Sequence, residues 1–112
     1  MKEAELQATI VNYVRTNYPQ VLLFSVSNES TYRRRGYFKK LGMLSGVSDL
    51  ILVFLNGILF IECKTKKGRQ SVEQINFQKR IEALGFRYIV VRELDEIKEL
   101  LNNELNINID DN

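Results

Sequence analysis

The chain contains no histidine at all. That absence excludes Ser-His-Asp triads, imidazole general bases and most zinc sites. Any catalysis falls to carboxylates, Lys, Tyr, Ser or the single cysteine, working with a metal. Cys63 stands alone, so no intramolecular disulfide forms, and a lone thiol fits a reducing compartment. No apolar run approaches the roughly 18 residues that a membrane span needs. The opening Met-Lys-Glu-Ala-Glu is not a secretory signal. The expectation is a cytoplasmic protein with no membrane partner. The only proline, Pro19, closes the first helical region.

What is present suits one compact domain over residues 1–112, with 45% hydrophobic and 27% charged side chains. Charge is spread unevenly. Residues 1–92 carry 15 Lys and Arg against 7 Asp and Glu, whereas residues 93–112 carry 1 against 7. A basic body followed by an acidic helix and tail (94–112) fits a polyanionic partner.

Leu6, Ile10, Tyr13 and Val14 recur at helical spacing within residues 2–17. Glu3 and Gln7 fall on the stripe of Ile10 and Val14, so Glu3 is an acid on the core side of the first turn. It is either a helix-dipole partner or part of a site. Residues 21–26 read as a strand. Tyr32 to Lys40 then interleaves Arg33, Arg34, Arg35, Lys39 and Lys40 with three aromatic residues. Lys and Arg suit phosphates and rings stack on bases, so the loop reads as a nucleic-acid contact rather than a merely solvated segment.

Residues 49–64 read as a hairpin. Asn56-Gly57 between apolar runs predicts a type I′ turn. In that register Leu55 faces Ile58, Asp49 faces Lys64 and Ile51 faces Glu62. Asp49, Glu62 and Lys64 then share one face, with the two acids diagonal neighbours roughly 7–8 Å apart at the backbone. Cys63 points to the other face as a packing residue. Lys66, Lys67 and Arg69 make the next loop basic. Ser71 to Gln74 has capping-box spacing and starts a helix with Phe77, Ile81 and Leu84 as its apolar stripe. Gln74 either closes that box or serves a site. Gly85 is the stop, residues 87–91 a strand, and 94–105 a last helix with Asp95 as its cap. The order of elements is α/β, a sheet between helices, with a parallel crossover from the third strand to the fourth.

Charged ends on an apolar hairpin are either solvated edges or a site. An exposed Asp–Lys cross-strand pair contributes at most about 1 kcal/mol. The shared face, the acid and amide on the flanking helices, and the basic loops favour a site. Two carboxylates there suit Mg²⁺ or Mn²⁺. Lys64 beside them suits a water or the charge that builds on a phosphate. That equipment hydrolyses phosphodiesters without histidine.

With Glu3, Gln7, Asn28, Gly46-Val47-Ser48-Asp49, Glu62-Cys63-Lys64 and Gly68 to Gln74, the chain resembles the VRR-NUC (virus-type replication-repair nuclease) family of the PD-(D/E)xK nuclease superfamily. The likeness spans roughly residues 3–100. It implies a restriction-endonuclease-like αβββαβ core with an extra C-terminal helix. It implies Glu3, Asp49, Glu62 and the Cys63 main-chain carbonyl as metal ligands, Lys64 as catalytic lysine and Gln74 as a further active-site residue. Ser48 departs from the superfamily's proline at a position that supplies no ligand. Small versions of this fold are similar to viral and prophage enzymes and to Holliday-junction resolvases, which act as dimers. The resemblance therefore implies a homodimeric, structure-selective DNA endonuclease of a bacterial or phage-infected cell. The alternatives are a flap or nicking endonuclease, or a non-catalytic nucleic-acid-binding module.

Overall fold

Leu6, Ile10 and Val14, each four residues from the next, become one buried stripe along helix α1 (Glu3–Asn17). The computed structural model describes residues 1–26 and 40–104. After α1 come strands β1 (Leu22–Ser25), β2 (Leu50–Phe54) and β3 (Gly57–Cys63), helix α2 (Val72–Ala83), strand β4 (Arg87–Val91) and helix α3 (Leu94–Glu104). The sheet order is β1-β2-β3-β4. The first two pairings are antiparallel, and β3–β4 is parallel, with α2 as the crossover. The predicted αβββαβ order and closing helix are present.

The alternation of β3 decides which layer each side chain enters. Leu59, Ile61 and Cys63 join Leu50 and Leu52 of β2, the α1 stripe, and Ile97 and Leu101 of α3 in one core. Burying an aliphatic side chain of this kind contributes roughly 1.5–3 kcal/mol. Phe60 takes the other face, where its ring meets Phe77 of α2 at 5.7 Å. Phe77 also packs edge-on against Tyr88 at 6.1 Å. Glu62 and Lys64 follow Phe60 in phase and so project toward the α2 side.

The hairpin register differs from the type I′ expectation. Phe54 pairs with Gly57, and the loop residues are Leu55 and Asn56. Of the turn residues Asn56 alone has positive φ, at 62°, whereas a type I′ turn needs two. The glycine is needed for another reason. A Cβ on Gly57 would lie 2.6 Å from the Phe54 ring, so its bareness gives the ring room across the strands. Pairs now sum to a value two lower than expected. That even change preserves every face, but Ile51 pairs with Phe60, not Glu62.

Two helix details also differ. Leu84 is 72% exposed, because it sits at the C-cap of α2, past the buried stripe. Asp95 lies within the first turn of α3 and is not its cap. The Glu96 carboxylate instead accepts from the N–H groups of Arg92 (2.9 Å) and Glu93 (3.0 Å). Gly85, with φ of 90°, follows α2 as expected. Among the described residues no helix is long and apolar enough to cross a membrane. The 33–35 arginines, Lys39 and the tail beyond 104 lie outside the described residues.

Gly46 joins the strand layer to α2. Its φ is 83°, and a Cβ there would lie 2.3 Å from the Glu73 carbonyl oxygen. Gly46→Ala is therefore expected to destabilise the fold by about 2–4 kcal/mol, from backbone strain plus a backbone clash. Urea unfolding against wild type checks this, and a loss below about 0.5 kcal/mol would contradict it.

Candidate active site

Three carboxylates reach one point from three elements. Glu3 comes from the first turn of α1, Asp49 from the residue before β2, and Glu62 from the end of β3. One oxygen of each lies within 4.8 Å of the other two. The β2–β3 pairing stops at Leu50↔Ile61, and side chains extend it. The Asp49 N–H donates to Glu62 Oε1 at 3.2 Å, and the Cys63 N–H donates to Asp49 Oδ2 at 2.8 Å. The register thus sets Asp49 directly beside Glu62 rather than diagonal to it.

Gln74 closes the capping box and also reaches Glu62. Its Oε1 accepts from the Ser71 N–H at 2.8 Å while its N–H donates to Ser71 Oγ at 3.1 Å, completing the capping box. Its Nε2 then donates to Glu62 Oε2 at 2.6 Å. An amide offers an acceptor and donors at once, so capping the helix and holding Glu62 are one arrangement.

Lys64 does not face Asp49. Its Nζ stands 3.7 Å from Glu62 Oε2 and 3.8 Å from Glu3 Oε1, with the side chain 11% exposed. Glu3 is itself half exposed. It is an acid at the rim of the site rather than one turned into the core. Cys63 is fully buried on the opposite face, where burial pushes its thiol up to about 12; it is a packing residue whose main chain fixes Asp49. Ser48 is buried and donates from Oγ to the Leu50 carbonyl at 3.2 Å.

Burial, and next the charge of Asp49, push the Glu62 carboxyl up to about 7. Asp49 is also raised, by burial first and further by Glu3, against the Cys63 N–H and Lys64, which lower it. Three acids this close do not all ionise comfortably without a cation. An all-oxygen donor set with that electrostatic need fits a hard divalent ion such as Mg²⁺ or Mn²⁺.

The basic residues divide. Lys66, Lys67 and Arg69 lie exposed on the turn that follows Lys64, and Lys40 is exposed as well. Lys66 pairs with Glu93 at 3.2 Å. Arg92 is the residue that sequence patterns do not mark. It hydrogen-bonds carbonyls 24 to 27 positions earlier, a contact that only the parallel β3–β4 pairing creates.

Solved structures share this architecture. One, described as a VRR_NUC domain protein, superposes with a TM-score of 0.73 at 18% identity, covering 95% of this chain and 89% of its own. Another, described as a VRR_NUC domain, gives 0.67 at 20% identity, covering 93% and 98%. No family model and no curated protein matches the sequence. The chain has the VRR-NUC domain fold, a restriction-endonuclease-like α/β architecture.

The raised Glu62 carboxyl has a signed consequence. Its folded value, about 7, lies above the ordinary 4.5. Between the two, the folded chain holds a proton that the unfolded chain has released. That contribution to stability, on the order of 3 kcal/mol, is present below about pH 4.5 and is lost as pH rises through about 7. Carbon-detected NMR of the glutamate carboxyls in EDTA should show one midpoint near 7, and Mg²⁺ should move it down. A midpoint at the ordinary value in EDTA would contradict this account of the site.

Proposed function

We propose that the protein is a metal-dependent DNA endonuclease that hydrolyses phosphodiester bonds. The observation that carries this reading is the convergence of Glu3, Asp49 and Glu62 within 4.8 Å, with the Lys64 ammonium between two of them, on the VRR-NUC domain fold. Glu3, Asp49, Glu62 and the Cys63 main-chain carbonyl would hold the cation. Bound there, Mg²⁺ or Mn²⁺ supplies a Lewis acid for the phosphoryl oxygen and makes water acidic enough to attack near neutral pH.

The protein's own groups divide the remaining work. Gln74 and the Asp49 N–H each hold one oxygen of Glu62, which fixes the plane of its carboxylate. The Cys63 N–H fixes Asp49 likewise. Lys64, nearly buried, presents a preorganised positive charge to the phosphate, where negative charge builds as the P–O bond breaks. The exposed Lys66, Lys67 and Arg69 extend positive charge along the path of a DNA backbone. Lys40 and the basic run Arg33, Arg34, Arg35 and Lys39 would add to it.

The substrate we propose is branched DNA, cut in the manner of a Holliday-junction resolvase by a homodimer. One site cuts one strand, so paired symmetric cuts require two chains.

The test is a panel of four-way junction, flap, nicked and single-stranded DNA with Mg²⁺ or Mn²⁺. Cleavage should be abolished by EDTA and fall at least about a hundredfold in Asp49→Ala, Glu62→Ala and Lys64→Ala, with folding confirmed by circular dichroism. Paired cuts in the junction support the resolvase reading, and single cuts in flap or nicked DNA replace it. Binding without cleavage under either metal would leave a non-catalytic nucleic-acid-binding module.

A further inference from the structure

Parallel strands β3 and β4 end on the same side of the sheet, and the turns that follow them meet there. The guanidinium of Arg92 fastens the two turns. Its Nη1 donates to the carbonyl oxygens of Thr65 at 2.6 Å and Gly68 at 2.7 Å, and more weakly to that of Lys66 at 3.3 Å. Hydrogen bonds from a charged donor are among the stronger ones. The Gly68 N–H closes the same turn onto the Thr65 carbonyl at 3.1 Å. This clamp uses main-chain acceptors only, so it sets the turn while leaving the ammonium groups of Lys66 and Lys67 at the surface. Lys66 touches Glu93 in a pair that is 79% and 53% exposed. A pair so exposed is weak enough for a phosphate to displace the carboxylate.

Beside the turn lies a cleft of about 620 Å³. That volume is in the range of pockets that take small molecules, roughly 300–1,000 Å³. Its lining joins the cationic Lys66, Lys67 and Arg92 and the carboxylate of Glu93 with Thr65 and the apolar Met1, Leu6 and Leu94. The lining includes Thr65, next in sequence to Lys64, and Met1, two residues before Glu3, so the chain carries it directly from the acidic cluster. With cationic and apolar groups in one lining, it matches a single nucleotide, phosphate toward the lysines and base against the apolar side chains. A base still in the duplex stack cannot enter a recess of this kind, so the nucleotide must be unpaired.

The geometry points to this cleft as a subsite for one unpaired nucleotide of the strand being cut, next to the scissile phosphate, with Arg92 as the positioning residue for Lys66 and Lys67. The assignment rests on the nuclease reading and deepens it: the feature selected in branched DNA is an unpaired nucleotide beside the cut.

Binding, not cleavage, tests it. Fluorescence anisotropy in EDTA would compare a labelled blunt duplex, the same duplex with a dT overhang, and one with an abasic overhang of equal length. The dT overhang should bind about tenfold more tightly than the abasic one, in line with base contacts of this type. Lys66→Gln should weaken binding and lower the salt slope by about one. Arg92→Lys keeps the charge and the slope but should lose most of the dT preference, as should Leu94→Ala. Equal affinity of the wild type for dT and abasic overhangs overturns the proposal, as does a preference untouched in both Arg92→Lys and Leu94→Ala. So does wild-type protein that binds none of the three probes. The probe comparison uses wild-type protein, so a variant that fails to fold does not remove the test. If the dT preference and its loss hold while the cleavage panel stays blank, the cleft stands and the catalytic reading fails. Cleavage without a dT preference means the reverse.

Discussion

Glu62 is 1% exposed, and two other carboxylates reach toward the point where its oxygens lie. Burying an isolated carboxylate costs several kcal/mol, and like charges add to that cost. The surrounding structure divides the compensation among separate elements. The residue before β2 supplies a main-chain N–H, α2 supplies an amide, and the residue just past β3 supplies an ammonium. Even so, the carboxyl stays far above its ordinary range. The arrangement is satisfied in hydrogen bonds and unsatisfied in charge, a state that a cation among the three carboxylates would relieve.

The same constraint explains why the two sides of the sheet differ. The α1–α3 side is a continuous, mainly aliphatic core. The α2 side mixes an aromatic cluster around Phe77 with the polar network at the strand ends. Gly46 allows the main chain before β2 to lie against the first turn of α2, and that approach brings Gln74 within reach of Glu62. A bulkier residue at Gly46 would push apart two layers whose meeting makes the site.

Element order, the hairpin, the parallel crossover and the shared face of Asp49 and Glu62 are legible in the sequence because they follow from period and turn signals, whereas Glu3 stands there only as a choice between helix-dipole partner and site. The hairpin shows how a wrong detail can leave a right conclusion. Asn56-Gly57 predicts the turn, but the Phe54 ring claims the space over Gly57 and moves the loop back by one residue. The faces survive, since the register changes by an even number. Gln74 was legible only as a choice between cap and site, because a sequence does not reveal that one amide can do both. Arg92 was not legible at all. Its acceptors are main-chain oxygens, which carry no residue-specific signal, and they become neighbours only once β4 docks beside β3. Asp95 does not cap because the helix begins one residue before it, at Leu94, which puts Asp95 inside the first turn.

The double use of Gln74 ties the site to the nucleation of a helix. Helix ends fray first, and the opening turn of α2 is held by the capping box that Gln74 closes. When that turn opens, Glu62 loses its amide donor in the same event. The carboxylate geometry therefore exists only while the helix is wound from its first residue, so site assembly and helix initiation form one cooperative unit. The main-chain amides of Ser71 and Gln74 should share a common opening free energy in hydrogen exchange. They would serve as a spectroscopic gauge of how often the site is whole.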